Sequence, residues 1–294
     1  MANIAGNENR QKFYVDAMKA TGNVPKIMGI LNVTPDSFYE NSRAEQVELA
    51  ISIGLQMWKD GATWVDIGGE STRPGAEPVP FEEEIERVVP VILGLRQHQP
   101  NGLISIDTRN PETAKAALLA GADMVNDVNG LRNEAMLELV IEMKSPVCIM
   151  HMRGEPKSMQ IDIGYTDVVT EVHDFLGQKI LQLVGRGYPL DHIIIDPGIG
   201  FGKLLQHNID LLQAGAETKK KLNCSLLWGV SRKSIIGELT GNTHPSDRLA
   251  GTLGSAAFAI VQGVDILRVH DVKEHVDFLN VFSSLYNGIR QPLK

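Results

Sequence analysis

The sequence predicts an α/β chain folded as a single (β/α)8 TIM barrel, with its active site at the C-terminal ends of the strands. Three observations lead there. Short apolar runs alternate with longer amphipathic runs, the pattern of parallel strands covered by helices. Eight such strand–helix units can be counted, the number a closed barrel needs. No Gly/Ser/Pro-rich linker, composition break, internal repeat or low-complexity tract divides the 294 residues. A length prior of about 150 residues per domain favours two domains, but barrels of about 250 residues or more fold as one. A doubly wound open sheet is the rival arrangement of the same units.

The units follow in order. Strand Lys26–Asn32 precedes helix Glu45–Lys59, whose Val47, Ile51, Leu55 and Trp58 fall on one face. Strand Thr63–Ile67 precedes helix Phe81–Gln97. Strand Leu103–Asp107 precedes helix Pro111–Leu119, which Asn110 opens as N-cap with proline at the first helical position. Met124–Asn126 pairs with Glu134–Met143, and Pro146–Met150 with Asp167–Val184. His192–Asp196 is followed by Asn208–Leu222, and Ser225–Trp228 by Asp247–Val261. Asp265–His270 and helix Val272–Tyr286 complete the set. Residues 1–22 stand outside the pattern and read as an extension, hairpin or short helix, closing the bottom of a barrel domain spanning 23–294. Gly251, Gly254, Ala256 and Ala257 permit close helix contact, either with the barrel or across a dimer face.

Composition narrows the partners. With 43% hydrophobic residues the chain has enough apolar material for a sizeable core and far too much for intrinsic disorder. A net charge of −8 argues against general nucleic-acid or anionic-membrane binding, yet leaves room for a small anionic substrate at a local cationic site. Cys148 and Cys224 lie in apolar strand-like runs and read as small core residues. The first residues lack the basic-then-apolar pattern of a signal peptide, and no apolar run approaches the ~18 residues of a membrane span. A soluble, cytoplasmic protein is expected.

Polar residues gather where a barrel builds its active site. The predicted strands run into Asn32, Asp66, Asp107, Asn126, His151, Asp196, Ser231 and the pair Arg268 and His270. Two-residue alternation places Ser105 with Asp107, Ile194 with Asp196, and Ile266 with Arg268 and His270. If these faces point inward, clustered carboxylates demand a donor-rich ligand or cations, because like charges repel. Carboxylates and amides accept hydrogen bonds from a flat heterocycle rich in N–H groups, such as an amino-oxo-pteridine or a guanine edge. Arg268, His270 and the stretch Ser231-Arg232-Lys233-Ser234 suit a phosphate or other anion. Asp66 could contact the ligand or merely brace the mouth.

The glycine-rich segments fit neither a Walker loop nor a dinucleotide fingerprint. Asp196-Pro-Gly-Ile-Gly-Phe-Gly-Lys203 reads as a shaped wall for a flat ligand. Gly68-Gly-Glu-Ser-Thr-Arg-Pro-Gly75 carries an arginine and two hydroxyls on one loop. There is no HExxH and no Cys/His cluster, and His98, His173, His192, His207, His244 and His275 read as surface or core residues. Asn32 at a strand end could join substrate phosphates in holding Mg²⁺, an ion that prefers oxygen donors and few protein ligands.

In order along the chain, eight segments resemble the bacterial dihydropteroate synthase family. They are Met28-Gly-Ile-Leu-Asn-Val-Thr-Pro-Asp-Ser-Phe38, Asp66-Ile-Gly-Gly-Glu-Ser-Thr-Arg-Pro-Gly75, Ser105-Ile-Asp-Thr108 and Asn126-Asp127. The rest are His151-Met152, Asp196 to Lys203, Ser231-Arg-Lys-Ser234 and Arg268-Val-His-Asp271. The resemblance implies a transferase that condenses 6-hydroxymethyl-7,8-dihydropterin pyrophosphate with p-aminobenzoate, with Mg²⁺, in folate biosynthesis. By motif position it implies pterin contacts at Asp107, Asn126, Asp196 and Lys233, and a Mg²⁺ ligand at Asn32. It implies a pyrophosphate clamp of Arg268 with His270, and a p-aminobenzoate side of Thr72, Arg73, Pro74, Phe201, Ser234 and Phe38. Asp107, Asp196, Lys233, Arg268 and His270 would be the catalytic set. It further implies a homodimer and competition by sulfonamides.

Two places depart from the family pattern. Tyr39-Glu40-Asn41-Ser42-Arg43 stands where many relatives carry Ser-Asp-Gly-Gly, a less permissive loop. Ile199 stands where Phe is commoner. Two other readings compete: a methyltetrahydrofolate:corrinoid methyltransferase of the same barrel superfamily, and a non-catalytic pterin-binding protein. Arg73 and the Ser-Arg-Lys-Ser stretch argue against the first. Arg73, Arg268 and His270 argue against the second.

Overall fold

Side-chain alternation along eight short strands decides what faces the barrel axis and what faces the helices. The computed structural model describes residues 12–34, 43–71, 75–154, 159 and 163–286. The strands are β1 (Lys26–Asn32), β2 (Trp64–Gly68), β3 (Leu103–Asp107), β4 (Met124–Asp127), β5 (Val147–Met150), β6 (Ile193–Asp196), β7 (Ser225–Trp228) and β8 (Ile266–Val269). All pairings are parallel, and β8 returns to β1 with Lys26 opposite Ile266, so the sheet closes in chain order. The open-sheet alternative is thereby excluded.

Residues 12–17 form α1. The other helices are α2 (Arg43–Lys59), α3 (Phe81–His98), α4 (Pro111–Ala120), α5 (Glu134–Met143), α6 (Val168–Gly185), α7 (Leu205–Gln213), α8 (Gly215–Leu222), α9 (Ser234–Thr240), α10 (Leu249–Val261) and α11 (Val272–Tyr286). One set of strand residues, including Val65, Ile104, Val125, Ile149, Ile195, Leu226 and Leu267, packs outward against the helices in one continuous core. The alternate set, Met28, Trp64, Leu103, Met124, Cys148, Ile194, Leu227 and Ile266, fills the barrel interior. Both cysteines are buried without a disulfide, as the composition suggested.

The interior set also takes in Ala17 and Met18, and the Trp64 indole N–H donates to the Ala17 carbonyl at 3.0 Å. Two buried acids tie the same end together. Asp123 accepts from Tyr14 Oη, Arg96 Nη2 and the Ile104 amide. Asp265 accepts from the Ala20 and Leu226 amides and from Lys219. At the bottom of a barrel such contacts serve stability, while the opposite rim is left to chemistry.

Three elements differ from expectation, each for a local reason. The single helix expected over Asn208–Leu222 is two, α7 and α8, joined at Ala214. Gly215 there lies so close to Trp228 that a Cβ would stand 2.7 Å from its ring. The segment Pro245–Arg248 is a 3-10 turn, so α10 starts at Leu249 rather than Asp247. Asn110 does occupy the N-cap of α4, but its side-chain amide donates to Glu84 Oε2 at 2.8 Å instead of capping the helix. Strand ends shift by a residue or so, and α9 is an additional short helix behind β7. Gly251 packs against Ile236, where a Cβ would meet Cγ2 at 2.5 Å, whereas Gly254 faces open space. No described helix is long and apolar enough to cross a membrane.

Candidate active site

Two residues beyond the apolar interior layer, the same inward-facing positions turn polar. Trp64 is followed by Asp66, Leu103 by Ser105 and Asp107, Met124 by Asn126, Ile194 by Asp196 and Ile266 by Arg268. Asp66, Ser105, Asp107, Asn126 and Asp196 are all buried. Arg268 joins them from β8, donating from Nε to Asp66 Oδ2 at 2.6 Å and from Nη2 to Asp107 Oδ2 at 2.5 Å.

Asn126 donates from Nδ2 to Asp66 Oδ2 at 3.1 Å. That contact orients the amide, because one Nδ2 proton is committed to Asp66 and Oδ1 is its acceptor. Asp66, fully buried, braces both through Oδ2, holding an arginine and an amide that face the mouth, while its own Oδ1 is buried with no hydrogen-bond partner. Asp107 keeps one oxygen, Oδ1, buried with no hydrogen-bond partner. Burial pushes the Asp107 carboxyl up to about 7, against the pull of Arg268 and with a further push from Asp66. Burial opposes the Arg268 charge, but Asp66, Asp107 and Asp196 together raise its pKa. A buried acceptor with no donor is costly, so this arrangement stores demand for an N–H-rich ligand.

Opposite this trio, the glycine loop after β6 frames Asp196. The Gly198 amide donates to Asp196 Oδ1 at 2.7 Å, and φ is +69° at Gly198. Only glycine fits there, since a Cβ would collide with the His151 carbonyl at 1.8 Å. Lys233 Nζ donates to the Ile199 carbonyl at 2.6 Å and stands 4.3 Å from the centre of the Phe201 ring. Burial lowers Lys233 to about 8, with Asp196 opposing the fall. Burial likewise raises Asp196, and Lys233 opposes that. A Cβ on Gly229 would lie 3.8 Å from Lys233 Nζ, 3.9 Å from Asp196 Oδ2 and 4.0 Å from Arg268 Cβ. The missing side chain keeps open the space where these groups converge.

His270 sits beside the same rim, with Nδ1 3.0 Å from Ser231 Oγ. Within the stretch Ser231-Arg232-Lys233-Ser234, expected to suit a phosphate or other anion, the two cations turn different ways. Arg232 pairs through both Nε and Nη2 with Asp271, and Lys233 turns inward to the glycine loop. Ser234 is exposed at the start of α9. Asn32 ends β1 half-buried, and its side chain makes no hydrogen bond among the described residues. Phe38, Thr72, Arg73 and Pro74 lie outside the described residues.

The structure also reveals groups that residue type and spacing do not. Lys203 is 4% exposed, and its Nζ lies 3.0 Å from His151 Nδ1, 3.2 Å from the His151 carbonyl and 3.0 Å from the carbonyls of Gly198 and Phe201. It clamps the glycine loop to the end of β5. Burial lowers it to about 7, and burial with the Lys203 charge takes His151 down to about 2. The loop after β2 is rooted by Arg109, which donates from Nη2 to Glu70 Oε1 at 2.8 Å and from Nε to Oε2 at 3.2 Å. Glu84, fully buried on α3, accepts from Thr108, Asn110 and Thr113 and so holds the loop after β3. Lys203 and Glu70 stand inside motifs that were legible. Their partners come from other strands, and no local spacing announces them.

Comparison with known proteins adds identity to this geometry. Residues 28–270 match the family described as pterin binding enzyme. A dihydropteroate synthase of Escherichia coli (strain K12) is 44% identical over 257 residues, covering 87% of this chain and 90% of that one. Among solved structures, Xanthomonas albilineans dihydropteroate synthase with 4-aminobenzoic acid is 42% identical, with a TM-score of 0.82, and the match covers 90% of this chain and 95% of that one. The crystal structure of Yersinia pestis dihydropteroate synthase with a sulfonamide drug is 40% identical, with a TM-score of 0.83 over the same shares of the two chains.

Proposed function

The chain belongs to the pterin binding enzyme family, among the dihydropteroate synthases, and from that membership we propose how its barrel mouth carries the reaction. It is a transferase that condenses 6-hydroxymethyl-7,8-dihydropterin pyrophosphate with p-aminobenzoate, giving 7,8-dihydropteroate and pyrophosphate. The bond from the pterin methylene to its pyrophosphate oxygen breaks, with the electron pair leaving on oxygen. The aryl amine supplies the pair for the new C–N bond and then loses a proton.

The observation that carries the assignment of residues is the set of acceptors left without donors around one opening. Asp107 Oδ1 is buried and unpartnered, and Asn126, with one Nδ2 proton given to Asp66, keeps Oδ1 as its acceptor. Asp196 spends Oδ1 on the Gly198 amide, and its Oδ2 borders the space beside Gly229 that Lys233 Nζ also borders. These three residues read the N–H edge of the pterin, and Lys233 serves its acceptor side. Asp107 and Asp196 stabilise the positive charge that develops on the ring as the pyrophosphate departs. Arg268 and His270 meet the departing anion. Nε and one N–H of Nη2 are committed to Asp66 and Asp107, so Nη1 remains for a phosphate oxygen. Phe201 and Ser234 serve the p-aminobenzoate side, the role that motif position also gives to Phe38, Thr72, Arg73 and Pro74.

Mg²⁺ fits this rim. Asn32 brings an amide oxygen to the end of β1, near Gly68 and the Asp107 carboxylate whose Oδ2 is held by Arg268. Among the described residues no three His, Cys, Asp or Glu side chains form a protein cage for a metal. That suits an ion that keeps water and substrate oxygens in its shell. Asn32 would hold it, and when bound it would supply charge neutralisation at the pyrophosphate.

The barrel from Lys26 onward then constitutes one pterin-binding domain, and of the N-terminal extension the described residues Tyr14, Ala17, Met18 and Ala20 cap its bottom. The protein works in the cytoplasm as a homodimer. The apolar side chains of Phe258 and Val261 on α10 and of Val281 and Leu285 on α11 support this, standing exposed on two helices that touch. Light scattering at micromolar concentration should give twice the chain mass. Sulfonamides compete for the p-aminobenzoate side.

The decisive assay combines purified protein, the pterin pyrophosphate, p-aminobenzoate and Mg²⁺. Dihydropteroate and pyrophosphate should appear in equal amounts. Absence of turnover with substrates that a known synthase consumes would sink the reading.

A further inference from the structure

Ser231 follows β7 and His270 follows β8, so the adjacent strands bring two rim residues face to face. Ser231 Oγ lies 3.0 Å from His270 Nδ1, and the His270 backbone N–H donates to the same Oγ at 3.2 Å. The Ser231 side chain is buried, with the residue 5% exposed.

We propose that Ser231 is a positioning residue that fixes the tautomer of His270, so that the imidazole presents Nε2–H to an anion at the barrel mouth. This rests on the reading of His270 as part of the pyrophosphate clamp. A serine hydroxyl has one proton and two lone pairs. Here one lone pair takes the His270 backbone N–H, so the hydroxyl proton needs an acceptor of its own. His270 Nδ1 is the acceptor recorded for it among the described residues. If Nδ1 carried the ring proton, both groups would be donors, and a buried hydroxyl proton would be left unpaired. The pairing therefore makes Nδ1 the acceptor. In a neutral imidazole the proton then belongs to Nε2, the nitrogen turned away from Ser231. An anion meets a donor there, where the other tautomer would offer it a lone pair.

Sequence spacing hides this relation, because Ser231 and His270 stand in different motifs. Arg232 does not take over the role, since its guanidinium is committed to Asp271. Alternation along β8 puts His270 on the same inward face as Ile266 and Arg268.

Full-length protein labelled with ¹⁵N-histidine tests the proposal. Two-bond ¹H–¹⁵N correlation spectra distinguish the tautomers, and the His270 signals are assigned by their loss in His270→Gln. In the neutral ring Nδ1 should resonate as an acceptor nitrogen and Nε2 as a protonated one. In Ser231→Ala the Nδ1 signal should move toward the protonated position as both tautomers populate. Titration calorimetry with inorganic pyrophosphate should show about a tenfold loss of affinity in Ser231→Ala, worth one hydrogen bond, and recovery in Ser231→Thr. A protonated Nδ1 in the wild-type neutral ring would overturn the proposal. So would unchanged pyrophosphate affinity in Ser231→Ala, or a loss that Ser231→Thr fails to restore. Both readouts are taken without turnover, so they separate from the synthase reading, which fails only if dihydropteroate does not form.

Discussion

Replacing Asp66 by asparagine tests whether the brace beneath the mouth acts through the residues above it. The substitution keeps the shape of the side chain and removes its charge. Asp66 holds Arg268 Nε at 2.6 Å and Asn126 Nδ2 at 3.1 Å on a single oxygen, in a position with no exposure. A hydrogen bond to a charged partner contributes about 1.5–3 kcal/mol and a neutral one about 1, so the Arg268 contact weakens by roughly 1–2 kcal/mol. Asparagine also offers N–H groups where Asn126 needs an acceptor, which costs roughly 1 kcal/mol more if the amide must turn. The sum, about 2–3 kcal/mol, predicts a fall in kcat/KM for the pterin substrate of about 30- to 150-fold. A second signature separates this from plain destabilisation. The Asp66 charge helps hold the Asp107 carboxyl up at about 7, so its removal moves the acid limb of the kcat/KM profile to lower pH. Steady-state kinetics from pH 5 to 9, with thermal melts as a folding control, measures both. An Asp66→Asn enzyme within about threefold of wild type, with its acid limb unmoved, refutes the reasoning.

Other perturbations probe the neighbouring parts. Lys233→Ala and Asp196→Asn should each lower kcat/KM by at least ~100-fold, about 2.7 kcal/mol of transition-state stabilisation, in a direct synthase assay. Lys203→Met leaves buried carbonyls without their donor at roughly 1–3 kcal/mol each, offset by relief of a buried charge. A lower melting temperature by roughly 5–10 °C should accompany a higher KM, read by calorimetry and kinetics. Arg109→Ala frees the root of the loop after β2 and should raise KM for p-aminobenzoate by about tenfold, a cost of ~1.4 kcal/mol, while pterin affinity stays near wild type. Stability should also respond to pH in a set direction. Asp107 and Asp127 hold their protons up to about 7 and about 6 in the fold, but release them near their ordinary value of 3.8 when unfolded. The native state therefore binds more protons in that window, and unfolding free energy contributed by these groups falls as pH rises from 4 to 7. Urea melts of the free enzyme across that range check the sign.

The barrel was legible because its signal is periodic. Strands such as Leu103–Asp107 alternate cleanly, and the same alternation that buries Ile194 and Ile266 delivers Asp196 and Arg268 to the rim. The break at Ala214 carries no proline, and Gly215 beside it, where a Cβ would meet the Trp228 ring, is the only local mark in the sequence. Within the site, residue types at strand ends were informative, while pairing across strands was not. Arg232 looks like a free cation until Asp271 is found against it. Asp66 looks like another ligand group until Arg268 and Asn126 are seen to share it. Lys203 reads as the end of a glycine loop, and only the fold brings the His151 carbonyl and ring to its ammonium.

The central claim is that unpaired acceptors at the strand ends read the pterin ring. A crystal structure with a non-reactive analogue of the dihydropterin pyrophosphate tests it most directly. Ring N–H groups should lie within hydrogen-bond distance of Asp107 Oδ1, Asn126 Oδ1 and Asp196. Lys233 should meet the opposite edge of the ring, and the pyrophosphate should rest against Arg268 and His270. A ring bound elsewhere, or bound without hydrogen bonds to these three side chains, would contradict the account.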